Sequence, residues 1–330
     1  MKPPRAFPFG AAILGALFAG CGSGPTAPAE VPTRAIVSRP SASPDVLRAE
    51  RLLAEGKVTE AKAVLEKAVA DDPDDARARL DLGLAHEEGG DWASAEKAYR
   101  RATILDPNFA EAFNNLGVLL REAGKLTEAT AMLERAVALD PALAAARFNL
   151  ALSYEELGNH EDAEREYLAT IEQLPNDPIP RINLAMMLLD AGRPDDAVAQ
   201  LRAVRPMVRG DVLLSIAVGE GLRRAGLPAE AVPVLQTALR QAPEPPPTEL
   251  LAELALAQYA SGELDAAEET MRRAVGQNER DPALQYAYGS ILAKQGQLGK
   301  ARAHLRRAAK LDPNGPYAQR ARARLEALTD

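Results

Sequence analysis

The chain has 330 residues, 47% hydrophobic and 26% charged, which is apolar material enough to fold over most of its length and too much for a disordered protein. Aromatics are only 4% while alanine abounds, a composition that suits closely packed helices and argues against sheet. The formal charge of −8 argues against a nucleic-acid partner, and the single cysteine, Cys21, excludes an intramolecular disulfide or a cysteine-held metal.

At the N-terminus Lys2 and Arg5 precede an apolar run from Phe7 to Ala19, the layout of a secretory signal and too short to span a bilayer comfortably. Loss of residues 1–20, which hold two basic and no acidic residues, deepens the net charge to −10. The run ends in Leu17-Phe18-Ala19-Gly20-Cys21, which resembles the bacterial lipobox, with Phe18 where Leu is usual. That resemblance implies a diacylglyceryl thioether and an acylated amine on Cys21, hence a permanent membrane anchor. Gly22 in place of Asp after the cysteine implies, by the same resemblance, the outer membrane, with the protein facing the periplasm. Residues 21–41 are rich in Pro, Ala, Ser, Thr and Gly and read as a tether, reaching about 60 Å as polyproline and about 25 Å as flexible coil.

From there a period of 34 governs the chain. Gly56, Gly90, Gly124, Gly158, Gly192 and Gly226 recur at that interval, and Gly262 and Gly296 resume it after two inserted residues. Five residues after each stands an alanine: Ala61, Ala95, Ala129, Ala163, Ala197, Ala231, Ala267 and Ala301. Glycine can terminate a first helix in the left-handed conformation, and alanine keeps a second helix close to it. Proline closes most units, at Pro73, Pro107, Pro141, Pro175, Pro243 and Pro313. In the third unit Phe113, Leu116, Gly117 and Leu120 form one apolar helical face and Ala129, Leu133 and Ala136 another. The units begin near Ala42, Ala76, Ala110, Ala144, Pro178, Val212, Thr248 and Pro282. The insertion, Glu244-Pro245-Pro246-Pro247, reads either as a kink or as a lengthened loop. Pro316 to Leu328 reads as one closing helix.

Pattern and period resemble the tetratricopeptide repeat (TPR) over 42–315, six units in 42–247 and two in 248–315, with a cap in 316–330. The resemblance implies an all-α fold, a right-handed α-solenoid of about eight helix-turn-helix repeats whose first helices line a concave wall. Its inward places here hold Leu80, Leu84, Asn114, Val118, Phe148, Leu152, Ile182, Met186 and Ile216, thickened by Ile179, Leu189 and Leu213. This stripe reads either as a partner-binding groove or as ordinary core. Asn115, Asn149 and Asn183 share the sixth place of consecutive units and resemble the asparagine ladder of the O-linked GlcNAc transferase repeats. Such amides either grip the backbone of an extended peptide or bond to the next helix. Glu87, Glu88, Glu122, Glu155, Glu156 and Asp190 edge the wall, favouring a basic partner or simply meeting water.

Nothing points to catalysis, a cofactor or a metal. His86, His160 and His304 occupy unrelated places, with His304 expected at the surface and Trp92 expected in the core. The plan resembles pilotin-type TPR lipoproteins of type IV pilus assembly and other envelope TPR lipoproteins. It implies a non-enzymatic scaffold for protein or peptide partners, bound to the membrane through its lipid; the alternative is an accessory subunit of a polysaccharide export or cell-wall enzyme complex.

Overall fold

The computed structural model describes residues 43–328. The leader, Cys21 and the tether lie outside the described residues. Within them the chain forms seventeen α-helices and no strand, an all-α array of helix-turn-helix repeats. The pairs are α1 (Pro44–Ala54) with α2 (Val58–Asp71), α3 (Ala76–Glu88) with α4 (Trp92–Leu105), α5 (Ala110–Glu122) with α6 (Leu126–Leu139), and α7 (Ala144–Glu156) with α8 (His160–Gln173). They continue as α9 (Pro178–Asp190) with α10 (Pro194–Val204), α11 (Val212–Arg224) with α12 (Pro228–Gln241), α13 (Thr248–Ser261) with α14 (Leu264–Gln277), and α15 (Pro282–Lys294) with α16 (Leu298–Leu311). A single helix, α17 (Pro316–Ala327), follows. From the second repeat onward, each first helix starts on the residue where the 34-residue period places a unit. The array divides into two compact units at Pro180–Arg181, inside α9.

The turn glycines of all eight pairs have φ between +71° and +87°, a region that side-chain-bearing residues rarely enter. At Gly124 this conformation lets its own N–H reach Arg121 O and the Lys125 N–H reach Leu120 O, each at 2.9 Å, closing the end of α5. The alanines five residues on are fully buried in every repeat. A second small position, not singled out by the period, lies on the first helices. A Cβ on Gly117 would sit 2.6 Å from Leu133 Cγ, and Gly219 and Gly289 face Leu235 and Leu305 in the same way. Glycine there lets a leucine of the second helix press against the backbone of the first. Each such leucine is fully buried, worth roughly 1.5–3 kcal/mol of transfer free energy.

Within each unit every second helix also packs on the first helix of the next repeat, and first helices of neighbouring repeats touch, as α1 with α3, α5 with α7 and α11 with α13. No helix can bury its apolar stripe alone, so within each unit the repeats share core with their neighbours. α10 is three residues shorter than the 14-residue second helices because Pro206 follows soon after its end. At the insertion, Gln277 Nε2 donates to Pro246 O at 3.0 Å, tying the loop to α14. At the end of the chain Ala318 and Ala321 of α17 are fully buried, and Arg302 of α16 donates to Leu328 O.

Candidate functional site on the first helices

The expected apolar lining lies inside the fold. Leu80, Leu84, Val118, Phe148, Ile179, Ile182, Met186 and Ile216 are buried and Leu152 is half-buried. The reason is close approach: with glycine or alanine at the eighth place, each pair draws together until the fifth and ninth residues are covered by the adjoining helices. Of the residues that thickened the stripe, Leu213 alone is well exposed, at 42%.

The amides are buried too, and in the first unit they bond to one another. Asn149 Nδ2 donates to Asn114 Oδ1 at 2.9 Å across α7 and α5, and Asn114 Nδ2 donates to Asn115 Oδ1 at 2.9 Å. The Asn149–Asn114 bond ties one repeat to the next, in keeping with the partners that buried polar groups generally require. Asn183, in the second unit, is buried as well.

Two ionic clusters continue the same register, and the sequence reading missed both. Asp81 occupies the sixth place of its repeat, the place held by asparagine in the next three. It is 1% exposed; Arg77 donates from Nε to its Oδ2 at 3.2 Å and from Nη2 to Glu50 Oε1 at 2.6 Å. Burial, aided by Glu50 and opposed by Arg77, pushes the Asp81 carboxyl up to about 7. In the second unit Glu253, at the sixth place of α13, takes a two-point contact from Arg223 of α11, and Arg224 pairs with Asp190. Burial and the neighbouring Glu253 push Glu220 up to about 7, against the pull of Arg224 and Arg223. The signal for both clusters was the 34-residue register itself, followed past the asparagines to the charged residues in line with them.

The acidic edge divides by partner. Glu87 and Glu155 accept hydrogen bonds from the buried hydroxyls of Tyr99 and Tyr167, at 2.7 and 2.6 Å, and are tied into the repeats. The Tyr167 hydroxyl is held well above its usual range by burial. Glu88, Glu122 and Glu156 share the thirteenth place of α3, α5 and α7 and are exposed, as is Asp190 in the second unit. Glu88 is itself raised by partial burial and by Glu87. Glu156 also pairs with Arg121 at 2.5 Å, a surface contact of little energetic weight. The accessible part of this wall is therefore charged.

Two expectations change. Trp92 is 52% exposed, because it opens α4 where the inter-helix turn lies at the surface. His304 is half-buried: its Nδ1 lies 2.7 Å from Gln285 Oε1 and its ring 4.4 Å from that of Tyr288, and burial lowers its basicity. Among the described residues no helix is long and apolar enough to cross a membrane, and no group of three or more His, Cys, Asp or Glu side chains is arranged around a metal position.

The structure is similar to that of a tetratricopeptide repeat protein from Parabacteroides merdae, at 17% identity and a TM-score of 0.56, over 77% of this chain and 99% of that one. It is similar also to the Cut9–Hcn1 hetero-tetramer of the APC/C, at 19% identity and a TM-score of 0.55, over 87% of this chain. The match takes in 55% of that chain, so the present chain spans about half its length. Pseudomonas aeruginosa pilF matches at 20% identity and a TM-score of 0.54, over 62% of this chain and 93% of that one. At these identities the likeness is one of fold. No curated protein matches the sequence. Windows 46–109, 86–143, 114–178 and 252–316 match one tetratricopeptide repeat family and 178–203 a second. With more than half of its residues inside these windows, the chain belongs to the tetratricopeptide repeat family.

Proposed function

We propose that this protein is a non-enzymatic scaffold, tethered to a bacterial envelope membrane through Cys21, that holds a basic segment of a protein partner along the first helices of its repeats. TPR arrays are interaction folds for protein or peptide partners, and the repeats fill the described residues with no separate catalytic domain. The observation that carries the choice of partner is the exposed row of Glu88, Glu122 and Glu156 in one register. Carboxylates in such a row steer and select cationic groups, while the apolar side chains beside them are covered. Assembly of envelope complexes, including pilus secretins, is the pathway that the sequence plan supports first; polysaccharide or cell-wall enzymes come second.

Replacing Glu88 and Glu122 with Lys is expected to lower partner recovery from envelope extracts at least about tenfold while the helical circular dichroism holds. Recovery at the wild-type level would sink the acidic-edge reading. Mass spectrometry of the captured proteins separates secretin peptides from those of synthases or hydrolases. The Cys21→Ser chain is expected in the soluble fraction; retention on membranes would refute the lipid anchor.

A further inference from the structure

Charge is unevenly spread along the chain. Residues 294–328 hold nine Lys or Arg against two Asp or Glu, whereas residues 43–293 hold 26 against 43. α16 contains no acidic residue. Its buried stripe is Ala301, Leu305 and Ala308, and at 100° per residue Lys300, Arg306, Arg307 and Lys310 fall on the opposite side, all exposed. Arg307 pairs with Glu279 at 2.8 Å, but Lys300, Arg306 and Lys310 form no ion pair among the described residues. Arg302, Arg306 and Lys310 also stand four apart, the helical spacing at which like charges repel. The last repeat thus carries a basic face that the fold leaves unneutralised.

We infer that this face docks on the acidic edge of a second copy of the chain, head to tail. The inference rests on the acidic-edge reading above and names an occupant for that edge. Glu122 and Glu156 stand on α5 and α7, which pack on one another, and the axes of packed helices lie about 8–10 Å apart. From Lys300 to Arg306 the helix rises about 9 Å, and from Arg306 to Lys310 about 6 Å, so basic groups can meet carboxylates at two successive repeats. An anionic lipid surface is the rival acceptor, but the 43 Asp and Glu of residues 43–293, with Glu122 and Glu156 exposed in one register, supply the complementary charge on the chain itself and favour a second copy. Because the two surfaces differ, each docked copy leaves one of each kind free, and association continues past the dimer, to a ring or an open chain.

The test is sedimentation velocity on the full-length chain carrying Cys21→Ser, over a wide concentration range at about 0.01 M and about 1 M salt, where the screening length falls from about 30 Å to about 3 Å. At low salt the weight-average sedimentation coefficient is expected to rise with concentration past the value of a dimer, and the association constant to drop at least about tenfold at high salt. Triple replacement Lys300→Glu, Arg306→Glu and Lys310→Glu abolishes the rise, as does Glu88→Lys with Glu122→Lys and Glu156→Lys. Mixing the two variants restores it, since each supplies the charge the other lost. A wild-type chain that stays monomeric at low salt, or a mixture that fails to associate, overturns the proposal. So does salt-sensitive binding to vesicles of anionic lipid by a chain that remains monomeric, which assigns the face to a membrane. Partner capture is measured on the same variants: loss in the glutamate variant with a monomeric wild type leaves the acidic-edge reading standing while this one falls.

Discussion

Ile182→Asp is expected to destabilise the second unit rather than merely to weaken a binding surface. Ile182 is 1% exposed and Met186 is 6% exposed. Removing the isoleucine forfeits roughly 3 kcal/mol of burial, and placing a carboxylate in a buried site adds a desolvation cost. The combined cost is about 5 kcal/mol, a large share of what a domain of this size has to lose. The helical circular dichroism transition should fall by roughly 10–20 °C, and Met186→Asp should act in the same direction. Leu213→Asp, at a well-exposed place on α11, is the control and should move the transition by no more than a degree or two. An unchanged melting curve for Ile182→Asp would mean that the first helices stand further apart in solution, with their apolar residues open to a ligand.

Asp81→Asn is expected to stabilise the first unit at pH 8 and to do so progressively less as pH falls toward about 4. Asp81 shares one arginine, Arg77, with Glu50, so full ionisation places two carboxylates against one guanidinium in a buried site. Its folded-state value of about 7 lies above the usual 3.8, so between pH 4 and pH 7 the native state holds a proton that the unfolded chain releases. The stability this confers is fully present below about pH 4 and is lost as pH rises through about 7. The loss is about 4 kcal/mol at most, and less where the site relaxes or admits water. An asparagine amide oxygen still accepts from Arg77 Nε, and Glu50 then balances the guanidinium one to one. Glu220 gives the second unit the same direction of pH dependence, so Asp81→Asn with Glu220→Gln should reduce the fall in stability between about pH 4 and pH 7. A variant less stable than wild type at pH 8 would show that the Arg77–Asp81 ion pair outweighs its desolvation.

The 34-residue period was sufficient to place the helices, because the features that set it are local. A left-handed glycine, a small alanine and a helix-stopping proline act within a turn or two of their own position, and the start of every first helix from Ala76 onward follows from them. Which face of a helix is buried is another matter. Sequence periodicity puts Leu80, Val118 and Ile182 on one face but does not say how near the next helix comes; that distance is set where Leu133 presses on Gly117 and Leu235 on Gly219. The same limit governed the asparagines. Their register was legible, whereas their role depends on whether Asn149 reaches Asn114 across two repeats, and it does.

The sequence by itself determined the repeat, its period and its turn chemistry, together with the charge split that sets the last repeat apart. Tertiary structure alone decided that the apolar stripe is core, that two of the edge glutamates belong to buried tyrosines, and that Asp81 and Glu220 carry shifted carboxyls. The physical reason is that local propensity reaches only a few residues, while burial and electrostatics depend on what lies across the interface between helices 20 to 35 residues apart in the chain.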